Sequence, residues 1–315
     1  MIISASRRTD IPALYGEWMV NRLKEGYVIV RNPINKKQFS RVSLQRDVVD
    51  CIVFWTKNPQ PFMEQIKQIE QMGYPFYFQM TITPYDLSIE HGLPSKVSII
   101  ESCKRLSDAI GPHRIVWRYD PIIISSELSV AYHLDAFGNL AQALSGYVEQ
   151  CMFSIYDEYR KTRQRMMSIA PREPDGGENN DLLAGLAKIA SSHSMHLSAC
   201  CEQVDGSQFG ISKAACIDQE LIERIVGYPL KVSKDTNQRT MCKCIASIDI
   251  GHYDTCLHGC LYCYGTSGSS GSSIVKNNME NHQKQSPLLI GQVDETMVIK
   301  ERKVELLQIK QTTLF

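Results

Sequence analysis

The chain has 315 residues, of which 43% are hydrophobic and 22% are charged, so it has ample material for a large globular core. Its formal net charge is zero, which excludes a global electrostatic field that would recruit nucleic acid or an anionic membrane. The sequence has no apolar run long enough to span a bilayer and no signal peptide at its start. We therefore expect a cytoplasmic protein without a membrane partner.

Short β-branched and aromatic runs alternate along the chain with longer amphipathic stretches. The strand-like runs, in chain order, are MIISAS, YVIV, VVDCIVFWT, YPFYFQMTI, HRIVWRYDPIII, YVEQCMFSIYD, MHLSACC and IASIDI. The helical stretches between them include PFMEQIKQIEQMG, SKVSIIESCKRLSDAIG and NDLLAGLAKIASSH. Alternating strands and helices predict βα units and a parallel sheet. Eight such runs predict a TIM-type α/β barrel over residues 1–265, although VRNPINKKQFSRVS is also compatible with a hairpin outside the barrel wall.

The composition changes after Gly265, where TSGSSGSS is typical of a flexible linker. Residues 266–286 are rich in Ser, Gly and Asn and lack an apolar stripe, so we expect them to stay out of the core. Residues 287–315 would form a flexible C-terminal tail, in which VELLQI could make one short amphipathic element.

Polar clusters follow most of the strand-like runs, as in WTKNP, WRYDP and ACCE. Charge often marks the change from strand to loop, but this explains one or two clusters better than several in succession. A parallel barrel gathers the residues at the carboxyl ends of its strands on one rim, which is therefore the predicted active site. The candidate substrate-binding residues on that rim are Lys57, Asn58, Arg118, Asp120 and Glu202.

The eleven cysteines are unevenly distributed. Three of them, Cys51, Cys103 and Cys151, stand among apolar residues, where a free cysteine usually acts as a small buried hydrophobe. The other eight fall within residues 200–263, and this clustering indicates metal ligation.

Three of these eight, Cys256, Cys260 and Cys263, have C-x-x-x-C-x-x-C spacing in the loop after IASIDI. Thiolates suit zinc or iron–sulfur clusters. A structural zinc usually takes four protein ligands. Three cysteines therefore favour a cluster that leaves one iron open to substrate.

This motif, with Tyr262 in its aromatic position, resembles the signature of the radical S-adenosylmethionine enzymes. The wider sequence resembles an uncharacterised bacterial family called domain of unknown function 1848, through SASRRTDIPA, FWTKNP, VWRYDP, KDTNQR and SIDIGHYDTCLHGCLYCY. Radical enzymes carry the motif near the start of their barrel, whereas here it lies near the end. If the strand at 246–250 is the first wall of the barrel and the N-terminal strand the second, the resemblance implies a circularly permuted barrel.

The resemblance also implies a set of cofactors. The three cysteines of the motif would bind a [4Fe–4S] cluster, and its open iron would chelate S-adenosylmethionine to generate a 5′-deoxyadenosyl radical. Tyr262 would lie near the adenine, and Arg7 and Arg8 would bind the methionine carboxylate. Both arginines could equally form structural ion pairs with Asp10 or Asp120. An electron donor of the flavodoxin or ferredoxin type would be a required partner.

Four further cysteines, Cys200, Cys216, Cys242 and Cys244, are predicted to hold a second iron–sulfur cluster or a structural zinc. Cys201 is left out of the set because it would point to the other side of its strand if Cys200 faces inward. The alternative is a group of unbound buried thiols. The charged sequence KDTNQRTMCK beside the C-x-C pair makes that alternative less favourable.

Two functions are consistent with these patterns. The first is a radical enzyme that acts on nucleic acid, as spore photoproduct lyase does with the same cysteine spacing, or on a small metabolite or peptide. The second is a non-catalytic, zinc-binding protein whose strand-end clusters contact nucleic-acid phosphates. The motif has three cysteines, one fewer than the four ligands of a structural zinc site, and the net charge of the chain is zero. Both observations favour the first function.

The last five residues, Gln311–Phe315, add a candidate partner. Their sequence QTTLF is similar to the short Q-x-x-L-F peptides with which bacterial repair proteins bind the DNA sliding clamp. Short motifs of this kind dock in hydrophobic grooves. The alternative is a terminal strand or helix that packs on the barrel.

Overall fold

A computed structural model of the chain describes residues 1–202, 206–267 and 272–309. In this part of the chain, eight parallel strands form a large sheet. In spatial order they are β10 (Ile248–Asp249), β1 (Ile2–Ala5), β4 (Cys51–Thr56), β5 (Phe76–Thr81), β6 (Ile115–Ile122), β7 (Gln150–Ile155), β8 (His196–Ala199) and β9 (Ser212–Lys213).

The prediction of an α/β fold with a parallel sheet is confirmed, but the closed TIM-type barrel is not. The edge strands are β9 and β10, and the described residues contain no pairing between them. Each of these two strands has only two residues, so neither offers the ladder of hydrogen bonds that would close the sheet.

Helices occupy most of the connections between the strands. Their bounds are α1 (Ile11–Leu14), α2 (Gly16–Glu25), α3 (Met63–Gln71), α4 (Lys96–Ile110), α5 (Val130–Leu144), α6 (Arg163–Met166), α7 (Gly176–Ser192), α8 (Gln219–Val226) and α9 (Ser273–Glu280). Side chains fix several helix starts: Ser95 caps α4, and Asp175 with Glu178 forms a capping box at α7. Among the described residues, no helix combines the length and apolar character needed to cross a bilayer.

The two faces of the large sheet have different coverings, because successive side chains of a strand point to opposite sides. One face packs on helices such as α4, α5 and α7 through a large apolar core. This core includes Ile3, Phe54, Phe78, Trp117 and Phe153. We call the other side the inner face. Part of the chain between residues 214 and 245 covers it, including Cys216 and Cys244. The buried sheet residues beneath include Ile2, Val53, Tyr77, Val116 and Met152.

The strand that precedes the three-cysteine motif lies beside the N-terminal strand, as predicted. The pairing of β10 with β1 is parallel and aligns Ser4 with Asp249. The Asp249 carboxylate accepts hydrogen bonds from Ser4 Oγ at 3.1 Å, from Ser6 Oγ at 2.7 Å and from Arg7 N at 2.8 Å. These bonds fix the end of β10 against the end of β1, so the cysteine motif begins at the carboxyl edge of the sheet.

A second sheet lies outside the large one. It contains an antiparallel hairpin of β2 (Tyr27–Arg31) and β3 (Phe39–Ser43), which confirms the hairpin interpretation of VRNPINKKQFSRVS. The run YVIV belongs to this hairpin, so its assignment as one of the eight barrel strands is wrong; the eighth strand of the large sheet is β9, which was not predicted. The strand β11 (Ile299–Glu301), from the predicted tail, pairs with β3 in parallel. Part of the tail is therefore integrated in the fold.

The expectation that residues 266–286 stay out of the core is wrong for their described part. Ser272 caps α9, and Val275 within that helix is fully buried. The Trp18 side chain also donates a hydrogen bond to the carbonyl of Ser286 at 2.9 Å. The prediction failed because the Gly/Ser-rich composition of TSGSSGSS was extended to the following sequence, which has a cap and helix-forming residues.

We predict that Gly251→Ala lowers the free energy of unfolding by about 1–3 kcal/mol. A Cβ at Gly251, directly after β10, would overlap the side chain of Ser6. Gly138→Ala is the control, since no atom lies within 4 Å of a Cβ at that position in α5. It should stabilise the protein by about 0.5–1 kcal/mol. Urea denaturation measures both, and equal stability of the two variants would contradict the close packing of β10 on β1.

Candidate functional site at the carboxyl edge of the sheet

Residues 254–265, which we call the cysteine loop, lie against the segment that follows β5. The amide of Gly92 donates a hydrogen bond to the carbonyl of His258 at 2.8 Å. Gly92 has to lack a side chain, because a Cβ there would overlap the carbonyl oxygen of Leu257. The backbone of the cysteine loop is therefore held by direct contact with another loop of the carboxyl edge.

A buried carboxylate connects the cysteine loop with the strand ends. Glu90 is 1% exposed and accepts hydrogen bonds from Lys57 Nζ and Thr83 Oγ1, both at 2.7 Å. It also contacts Lys96 Nζ and the hydroxyl of Tyr262. Burial opposes the negative charge, but Lys57 and Lys96 outweigh it and lower the pKa of Glu90 to about 2.

A second carboxylate, Asp10, ties the cysteine loop to the ends of β1 and β4. Its Oδ2 lies 2.8 Å from His258 Nε2 and accepts a hydrogen bond from the amide of Lys57 at 2.8 Å. Its Oδ1 accepts from the amide of Ala13 and so caps α1. One side chain thus fixes three separate segments of the chain.

The three thiols of the loop are buried or half-buried and lie close enough to affect one another. Burial raises the pKa of Cys256, and the charges of Cys263, Asp10 and Cys260 raise it further. Burial also raises the pKa of Cys260, while the positive charge of Lys57 opposes this effect. Cysteine binds a metal as the thiolate, so a bound metal would deprotonate all three thiols.

This donor set fits an iron–sulfur cluster in its chemistry. The amide of Gly265 donates to Cys263 Sγ at 3.3 Å, the type of contact that stabilises a metal-bound thiolate. In residues 1–202, 206–267 and 272–309, no group of three or more His, Cys, Asp or Glu side chains is arranged to hold a metal ion. The fit therefore rests on the number and type of donors and not on a preformed coordination geometry.

The two predicted carboxylate-binding arginines lie at the end of β1 and pair with other acids than those expected. Arg7 Nη1 is 3.6 Å from Asp235, and Arg8 Nε is 3.7 Å from Asp249, so the pairs predicted with Asp10 or Asp120 do not form. Within the described chain, the buried Nη2 of Arg7 has no hydrogen-bond partner. One guanidinium donor is thus available to a ligand at the end of β1.

Arg118 and Asp120 lie two residues apart within β6. They form an ion pair, and the hydroxyl of Ser154 donates to Asp120. The guanidinium groups of Arg118 and Arg7 both lie over the ring of Trp55, at 5.0 and 5.2 Å from its centroid. This indole holds the two cations near each other.

The remaining substrate-binding candidates have different surroundings. Lys57 is engaged with Glu90 rather than free for a substrate. The side chain of Asn58 accepts from the amide of Gln60 at 3.3 Å, which makes it part of a local turn. Glu202 follows β8 and accepts from the amide of Ile155; burial raises its pKa to about 7, in the range of a general acid or base.

The four cysteines of the predicted second set are neighbours, with the sulfurs of Cys200 and Cys216 3.3 Å apart, and Cys201 belongs to the same group. The strand β8 ends at Ala199, and Cys201 has a φ of 59°. The alternation that was expected to turn Cys201 away therefore does not apply. Its thiol contacts Cys200 and Cys242.

Glu90 and Asp249 were not among the residues predicted from the sequence. Asp249 had a signal, since an acid inside the strand-like run IASIDI has to find donors there. Glu90 had none, because its surroundings in YDLSIEHG look like those of an exposed loop.

Comparison with known proteins gives a family but no activity. The family described as Domain of unknown function (DUF1848) matches residues 2–265. No curated protein matches the chain. A solved structure of a "putative alpha-L-fucosidase" from Bacteroides thetaiotaomicron is similar at 13% identity with a TM-score of 0.22, over 74% of this chain and 82% of that one. A likeness at this level carries no argument about function.

We predict that Glu90→Gln lowers the free energy of unfolding at neutral pH by about 3–5 kcal/mol, because Lys57 and Lys96 lose their buried counter-charge. Glu101→Gln is the matched control: its exposed ion pair with Lys104 should contribute less than about 1 kcal/mol. Urea denaturation measures the difference. Similar values for the two variants would show that Glu90 does not anchor the loop.

The lowered pKa of Glu90 predicts that the folded protein loses stability in acid. The pKa of Glu90 is about 2 in the folded protein, below its ordinary value of 4.5. Its contribution is therefore complete above pH 4.5 and is lost as the pH falls toward 2. In denaturation series over this range, the stability of Glu90→Gln should fall less steeply than that of the wild type. Parallel curves would contradict the assignment.

Proposed function

We propose a function for this chain, which belongs to the family described as Domain of unknown function (DUF1848): it is a radical S-adenosylmethionine enzyme whose cysteine loop binds a [4Fe–4S] cluster. The observation that carries the proposal is the position of the three cysteines, in a loop held at the carboxyl edge of a parallel sheet. When bound by three thiolates, such a cluster supplies an open iron at which S-adenosylmethionine is cleaved reductively to a carbon-centred radical.

The residues around the loop would fix the three sulfurs in position. Asp10 holds the middle of the loop through His258, and Gly92 permits the close backbone contact beside it. Tyr262 is fixed by its hydroxyl contact with Glu90 and by the ring of Tyr85, at a centroid distance of 5.8 Å. We assign it the role of orienting the loop, and the adenine contact expected from the sequence stays a prediction.

Lys57 and Lys96 would favour thiolates in the loop. They share one carboxylate, Glu90, so the group has one excess positive charge. The Lys57 ammonium acts on Cys260 by lowering the pKa of its thiol, against the effect of burial. We assign Lys57 to the support of the metal ligand rather than to substrate binding.

Arg7 is the candidate for binding the carboxylate of S-adenosylmethionine. Its buried Nη2 lacks a partner among the described residues, and a carboxylate can accept from a guanidinium group. Arg8 is engaged with Asp249 and Gly251, which suits it to holding the ends of β1 and β10 together.

The order of the strands supports the proposal of a circular permutation. The cysteine loop follows β10, and β10 pairs with the N-terminal strand β1. The strand before the motif thus lies next to the first strand of the chain, as a permuted radical-enzyme fold requires. A flavodoxin- or ferredoxin-type electron donor and a nucleic-acid substrate are part of the proposal. The sliding-clamp motif Gln311–Phe315 lies outside the described residues and stays a prediction.

The experiment is anaerobic reconstitution followed by an assay for 5′-deoxyadenosine with a chemical reductant. Wild-type protein should be brown and produce deoxyadenosine. Cys260→Ala should lose this activity by at least about 100-fold, since it lacks a ligand. Cys103→Ala, a buried cysteine in α4, is the control and should retain it. Activity that survives in Cys260→Ala would refute the function, and a colourless, zinc-containing wild type would favour the non-catalytic alternative.

A further inference from the structure

A second group of thiols lies on the inner face of the sheet, outside the cysteine loop. Cys200 Sγ and Cys216 Sγ are 3.3 Å apart. Cys216 contacts Cys244, which contacts Cys242. Cys201 completes a ring of contacts through Cys242 and Cys200. Five thiols are therefore neighbours, and four of them, all except Cys201, are buried.

The five thiols come from three separate parts of the chain. One pair directly follows β8, and Cys216 follows β9. The other pair belongs to residues 227–247, between α8 and β10, which form neither a helix nor a named strand. A loop of this length inside a compact fold usually has a functional reason or an additional constraint. A metal bound by these thiols would connect this loop to the edge of the sheet, and binding would have to draw the sulfurs into coordination, since no three such side chains among the described residues are arranged to hold a metal ion.

Hydrogen-bond donors point at three of the sulfurs. The amide of Ile217 donates to Cys244 Sγ at 3.4 Å, and the amide of Cys244 donates to Cys242 Sγ at 3.5 Å. Arg118 Nη1 donates to Cys216 Sγ at 2.8 Å. Donors of this kind stabilise thiolates and are typical of the surroundings of metal-bound cysteine.

The two cations on Trp55 also suit a metal centre. Arg118 contacts Cys216 directly, and Arg7 lies near enough to Cys244 and Cys216 to interact with their charges. Four thiolates around one zinc ion, or around a [4Fe–4S] cluster, carry a net negative charge. Both guanidinium groups also pair with acids, Arg118 with Asp120 and Arg7 with Asp235, so they would compensate part of such a charge.

We propose that four of these five cysteines bind one thiophilic metal centre, either zinc or an iron–sulfur cluster, which fixes residues 227–247 to the end of β8 and to the chain after β9. Two sulfurs on one tetrahedral zinc lie about 3.8 Å apart with bonds of roughly 2.3 Å. The 3.3 Å contact between Cys200 and Cys216 would therefore widen slightly on binding zinc, whereas a [4Fe–4S] cluster, in which each cysteine binds a different iron, would need the sulfurs to move much farther apart. Cys242 also lines a groove of about 500 Å³ with Lys213, through which a metal or chelator can enter.

This site does not depend on the cysteine loop, and the experiment separates the two. In one variant, Cys256, Cys260 and Cys263 are all replaced by Ala. We call it the loop-free variant because it lacks the loop thiols, although the loop backbone is retained. Purified without oxygen, it should contain about one zinc ion, or about four iron and four sulfide ions, per chain. Metal analysis and the visible spectrum distinguish these two forms. The loop-free variant should be inactive with S-adenosylmethionine yet keep this centre.

Replacing Cys216 and Cys244 by Ala in the loop-free background should remove the metal. Replacing the isolated buried residues Cys51 and Cys103 instead is the matched control and should leave it bound. A second readout covers the case in which the first variant fails to fold. Titration of the loop-free protein with a mercurial reagent should release metal in proportion to the thiols modified, and a chelator should lower its melting temperature. Folded loop-free protein without metal, or metal that persists without Cys216 and Cys244, would overturn the proposal.

Discussion

The eight strands of the large sheet all run in one direction, and this constraint brings distant parts of the chain to a single edge. Asp10 after β1, Lys57 after β4 and Glu90 after β5 reach that edge from different segments, and all three contribute to holding the cysteine loop. The loop itself arrives after β10, the neighbour of β1. A motif near the end of the sequence thus lies beside the start of the chain because of strand order, whatever the distance along the sequence.

The charged residues at this edge contribute more to the position of the cysteine loop than to the free energy of unfolding. Glu90 is buried and its two lysine partners are partly so, and a buried ion pair rarely contributes more than a well-packed apolar group would. The arrangement nevertheless leaves one excess positive charge near Cys260 and fixes Tyr262. We infer that this group of residues orients the loop and favours its thiolates. The inner face has a corresponding combination, in which Arg7 and Arg118 lie beside the second group of thiols.

Much of the architecture could be predicted because it depends on local pattern. Alternating strand-like and helical runs gave the parallel sheet, and the short antiparallel hairpin of β2 and β3 was a stated alternative. The open edge between β9 and β10 was not predictable, because two-residue strands leave no periodic signal. Glu90 was missed since its burial depends on tertiary contacts with the cysteine loop. Cys201 was excluded by an alternation rule that ceases to hold where β8 ends. The helix α9 was missed because a Gly/Ser-rich composition was given more weight than the cap that follows it.

The central claim is that the cysteine loop binds an iron–sulfur cluster with one iron accessible to S-adenosylmethionine. The most direct measurement is the electron paramagnetic resonance spectrum of the reduced, reconstituted protein, recorded with and without S-adenosylmethionine. In a variant that lacks Cys216 and Cys244, only the loop contributes to the signal, so the spectrum should shift when S-adenosylmethionine is added. Replacement of Cys260 in the same background should abolish both the signal and the shift. A cluster signal that S-adenosylmethionine leaves unchanged, or the absence of any signal from the loop, would contradict the account.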